Sequence, residues 1–60
     1  MEPYRYLQQA AAQMHTLDTR EAVNRVLDEL EFLYEALDPE MQDIATGLIE
    51  QLHERLKTLP

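Results

Sequence analysis

The stretch Leu30-Glu31-Phe32-Leu33-Tyr34-Glu35-Ala36-Leu37-Asp38-Pro39-Glu40-Met41 decides the fold, because it holds the end of one helix and the start of the next. Leu30, Leu33, Tyr34 and Leu37 recur at spacings of three and four, the period of a helix with one buried face. The period breaks at Asp38-Pro39-Glu40. A proline disfavours helical geometry at the residue before it, and its own fixed φ suits the first turn of a new helix. Asp38 and Glu40 oppose the positive end of that helix's dipole. The expected arrangement is a helix ending near Leu37, an abrupt corner capped by Asp38, and a second helix starting at Pro39.

The same spacing runs back through Val23, Val26 and Leu27, and forward through Met41, Ile44, Ala45, Leu48, Ile49, Leu52, Leu56 and Leu59. An earlier stripe is formed by Tyr4, Leu7, Ala11 and Met14, with Pro3 suited to a first helical position. Asp18-Thr19-Arg20-Glu21 resembles a capping box with Asp18 as the cap. No segment alternates as a strand would. The pattern predicts an all-α fold of three short amphipathic helices, over about 3–16, 19–37 and 39–58, in one small domain covering residues 1–60. The connections are short, so successive helices are neighbours, with the second and third forming a helical hairpin.

A chain of 60 residues buries only ~60% of its unfolded surface on folding. It has no Cys, so neither disulfides nor a thiolate zinc site can supplement the core. Dimerisation would supply further buried surface, and two-fold pairing is the commonest oligomeric symmetry. The formal charge of −7 is concentrated mid-chain. Asp28, Glu29, Glu31, Glu35, Asp38, Glu40 and Asp43 follow one another with no Lys or Arg between them. Such a surface opposes direct nucleic-acid binding, which needs clustered cations, and it disfavours an anionic membrane surface. Its simplest role is a solvated face. Its functional roles would be attraction to a basic partner or mimicry of a nucleic-acid backbone. The N-terminus lacks the charged-then-apolar layout of a signal peptide, and the longest strictly aliphatic run is Ala10-Ala11-Ala12, so a cytoplasmic location is expected.

Glu50-Gln51-Leu52-His53 has the spacing of a helical metal-ligand pair. At about 100° per residue, however, Glu50 points almost directly away from the stripe centred on Leu52. No metal site is expected, and His15 reads as a helix-end residue. The chain has no Ser and no Cys, and Thr16, Thr19, Thr46 and Thr58 have no base and orienting group near them in sequence. No catalytic residue and no cofactor is expected, and the chain reads as non-enzymatic.

The informative residues are apolar ones in the wrong place. Phe32 falls opposite Val23 and Leu30, among Arg25, Glu29 and Glu35, while Tyr6 is turned away from the side marked by Leu7 and Met14. Aromatic residues are enriched at interfaces. Tyr6 and Phe32 are therefore candidate interface residues, together with a seam of Leu30, Leu33, Leu37, Ile44, Leu48 and Leu52. Gly47 lies off the main stripe, where it is either a tolerated glycine or a place for another helix to approach closely.

The pattern from Leu30 to Leu56 (Leu30, Leu33, Tyr34, Leu37-Asp38-Pro39-Glu40, then Ile44, Leu48, Ile49 and Leu52) resembles the helical pair that follows the DNA-binding domain in Cro/CI-like bacterial regulators. In that family the pair serves for dimerisation, and the DNA-reading domain has no counterpart here. The resemblance implies a free-standing oligomerisation module, or an antagonist that pairs with such a regulator. The expected function is a small bacterial-type protein-protein interaction module, acting as a homodimer or on another protein. The alternatives are an acidic inhibitor or nucleic-acid mimic on a basic partner, and a small accessory subunit of a larger complex.

Overall fold

Three amphipathic stripes in so short a chain can be buried only against one another, and the computed structural model shows how. It describes residues 2–59; Met1 and Pro60, the ends of the expected single domain, lie outside the described residues. The chain is all-α, with α1 at Pro3–Gln13, α2 at Arg20–Tyr34 and α3 at Pro39–Thr58. Pro3 and Pro39 each stand in the first turn of their helix, where a missing N–H costs no hydrogen bond.

Three boundaries differ from expectation, each for a local reason. The first helix tightens into a single 3₁₀ turn over Met14–Thr16, closed when the Leu17 N–H donates to the Met14 carbonyl at 3.2 Å. The cap of α2 is Thr19, not Asp18: its hydroxyl accepts from the Ala22 N–H at 3.1 Å. Asp18 instead faces Arg55 at 3.5 Å. The second helix ends at Tyr34, three residues before Leu37. The Ala36 and Leu37 N–H groups donate to Leu33 and Tyr34 in a tightened last turn, which brings the Leu37 side chain into the core. Asp38 takes the extended geometry its proline demands (φ −65°, ψ 156°), but its carboxylate makes no capping hydrogen bond.

The core consists of Leu7 from α1, Val23, Leu27 and Leu30 from α2, Leu37 from the corner, and Ala45, Leu48 and Leu52 from α3. Tyr6, Ala10, Met14, Leu17, Val26, Tyr34, Met41, Ile49, Leu56 and Leu59 pack around it. Two polar contacts show that α2 and α3 run antiparallel. At one end the Gln42 side-chain amide donates to the Tyr34 carbonyl at 2.9 Å, satisfying a helix-end acceptor. At the other, Arg20 from the start of α2 donates to the Leu56 carbonyl near the end of α3 at 3.0 Å.

Arg55 holds the third helix in place. Its Nε donates to the Leu17 carbonyl at 2.7 Å and a terminal nitrogen donates to the His15 carbonyl at 3.1 Å. One guanidinium therefore ties the last turns of α3 to the link between α1 and α2, using the several donors that Arg presents in fixed geometry. This places the end of α1 beside the end of α3, so the order is up, down, up, and the whole measures 34 × 17 × 16 Å.

Candidate functional site

A helix with a core on one side must place every fourth or so residue on the other, and in α2 one of the residues placed there is a phenylalanine. Val23, Leu27 and Leu30 point inward and are buried, so Phe32 points outward and is 84% exposed. Helical spacing sets Asp28, Glu29, Glu35 and Ala36 around it, all exposed. The one cation on this face, Arg25, is within 3.5 Å of Glu21, one turn earlier. Phe32 is thus an apolar ring in a field of carboxylates, held on a rigid helix.

The other candidate interface residues are distributed by the fold. Leu30, Leu37, Leu48 and Leu52 are buried within the chain, so they form the seam between α2 and α3 and cannot also face a partner unless the hairpin opens. Leu33 is half-buried on the flank of α2. Ile44 departs from the expected seam: it lies beside the stripe, not within it, and is 46% exposed. Tyr6 also differs. It is half-buried against the core, and its hydroxyl donates to Glu29 on α2. Burial, then the hydrogen bond to Glu29 and the negative charge of that carboxylate, push the Tyr6 phenol well above the usual tyrosine range. Tyr6 therefore links α1 to α2 within the chain, a role hidden by assigning its face from helix one alone.

Among the described residues no three His, Asp or Glu side chains are placed together to hold a metal ion. Glu50 and His53 share an open stretch of the α3 surface with Gly47, Gln51 and Glu54, all from the one helix. A Cβ built at Gly47 would meet nothing within 4 Å. No helix in the described residues is long and apolar enough to cross a membrane.

No protein-family model matches the chain, and no curated protein or solved structure matches it. What this surface can do follows from its own chemistry. It presents one large apolar anchor, Phe32, with exposed carboxylates beside it.

Arg20 and Arg55 are not among the residues singled out from the sequence. A signal was present. In an antiparallel hairpin the first turn of α2 and the last turn of α3 lie side by side, so Arg20 can reach the end of α3 and Arg55 the link that precedes α2.

Proposed function

We propose that this chain is a non-enzymatic protein-protein interaction module whose acidic α2 face, anchored by Phe32, binds a basic surface on another protein. The observation that carries this reading is the 84% exposure of Phe32 within a ring of carboxylates. Covering a ring of this kind contributes about 1.5–3 kcal/mol, so leaving it in water favours any partner that can cover it. The charge around it selects which partner. In a two-fold pairing through Phe32, Asp28, Glu29 and Glu35 of one copy would meet the same residues of the other. Like-charge juxtaposition of that kind costs several kcal/mol, as much as the ring contributes. A basic partner turns the same charges into attraction.

An interaction module of this charge favours a basic partner over the expected homodimer. It agrees with a cytoplasmic protein without enzymatic activity. The resemblance to a regulator's helical extension fits it in the form of an antagonist, not of a dimerisation unit.

The test combines light scattering over a dilution series with binding of an amphipathic Leu/Lys helical peptide. The expected result is a monomer throughout, with saturable peptide binding that weakens about tenfold in Phe32→Ala. A concentration-dependent dimer that Phe32→Ala dissolves, or peptide binding unaffected by that substitution, overturns it.

A further inference from the structure

The α2–α3 hairpin has two flanks, and the chain fills only one of them. On the first flank lies α1, joined to α2 by Tyr6 and Glu29 and to α3 by Arg55. The second flank is a groove of about 360 Å³ lined by Glu31 and Tyr34 from α2, by Glu35 just after its end, and by Thr46, Ile49 and Glu50 from α3. Tyr34 and Ile49 are half-buried and pack on the core, so they form an apolar floor. Glu31, Glu35 and Glu50 are exposed and form a carboxylate rim on both sides. No Lys, Arg or His lines the groove, and the ion pairs among the described residues engage Glu21, Asp18 and Glu54 instead.

We infer that this groove is the seat of a basic amphipathic helix from a partner protein, which would complete a four-helix bundle. The inference rests on the proposed function and adds to it the partner's element and its place. The shape favours a helix because the groove runs between two antiparallel helices, the position a fourth helix takes in a bundle. Its floor accepts apolar side chains at spacings of three or four residues, as in helix-in-groove recognition. The charge selects the rest. Glu31 and Glu35 lie one turn apart on one wall and Glu50 on the other, so Lys or Arg on both edges of the incoming helix would meet a carboxylate. Their aliphatic stems would cover the apolar floor. A second copy of this chain offers no such helix, because its cations are not arranged along one face.

The experiment follows backbone amide shifts of the ¹⁵N-labelled chain during titration with the same Leu/Lys peptide. A Lys/Ser peptide of equal charge and a Leu/Glu peptide serve as controls. The expected result is saturable shifts centred on Glu31, Tyr34, Glu35, Thr46, Ile49 and Glu50, and reaching Phe32 beside Glu31, with the Leu/Lys peptide alone. Thr46→Lys and Glu50→Lys are exposed changes that leave the core intact, and each is expected to weaken binding about tenfold. Glu40→Lys makes the same charge reversal as Glu50→Lys outside the groove and is expected to change affinity less than about threefold. Equal weakening by Glu40→Lys and Glu50→Lys, or equal binding of the Lys/Ser peptide, would mean a diffuse charge effect and would overturn the inference. Binding lost in Phe32→Ala but indifferent to Thr46→Lys and Glu50→Lys would remove the groove and leave the proposed function standing. No binding of any basic peptide removes both.

Discussion

Gly47 sits in the middle of α3 with nothing near the place where a side chain would go, and its φ is not positive. The fold therefore has no steric need of a glycine there. Helix propensity alone predicts that Gly47→Ala raises stability by up to ~1 kcal/mol, read as a higher urea midpoint at unchanged slope. A loss of stability would reveal a close approach that the isolated chain does not show. Tyr6 is the opposite case, a residue whose contacts are its role. Tyr6→Phe removes one hydrogen bond to a carboxylate and should cost about 0.5–1.5 kcal/mol. Its alkaline behaviour has a definite sign. Below about pH 10 the phenol is protonated in both states and the bond contributes in full. Above that the unfolded chain ionises while the folded one keeps its proton, so stability falls as pH rises. The fall should be shallower in Tyr6→Phe, and equal slopes in the two proteins across alkaline unfolding curves would count against the Tyr6–Glu29 bond.

At the level of elements, the two helix starts use different devices. Thr19 accepts a real hydrogen bond from the first turn of α2, whereas Asp38 offers only a negative charge near the start of α3 and a backbone already set by Pro39. Thr19→Ala should therefore cost about 1 kcal/mol, and Asp38→Ala only a few tenths from the weakened dipole interaction. Urea unfolding of both variants checks the order, and a larger loss at Asp38 would mean that its carboxylate caps the helix in solution. The corner itself was legible because Pro39 acts within one residue of itself. Where α2 ends was not, since Leu37 continues the apolar period although its backbone has left the helix. Periodicity reports which side chains are buried. It does not report whether the turn that delivers them is α-helical.

For the whole molecule the decisive quantity is charge. The seven acids from Asp28 to Asp43 are all exposed, and only Glu29 among them has a polar partner among the side-chain contacts described. Self-repulsion should lower stability at low ionic strength, where the screening length is long and each carboxylate lies in its neighbours' field. Moderate NaCl is therefore expected to raise the thermal midpoint of the free chain while weakening its hold on a basic peptide. A midpoint that falls with salt would show that the ion pairs of Arg25, Arg55 and Lys57 outweigh the repulsion. The opposite salt responses of stability and binding are one consequence of leaving so many acids without partners.

The sequence by itself determined the helical class, the number of helices, the abrupt start at Pro39, the buried stripe and the outward direction of Phe32. All of these follow from interactions within a few residues along the chain, where period and proline stereochemistry act directly. Only the tertiary structure decided which flank of the hairpin α1 covers. It also drew Tyr6 inward to Glu29, left Ile44 in solvent, and joined Arg20 and Arg55 to carbonyls 36 and 38 positions away. Helical periodicity places each residue around its own axis and is silent about the axis beside it. For that reason a face that looks outward on one helix can still be closed by the next, and a groove between two helices cannot be read from either alone.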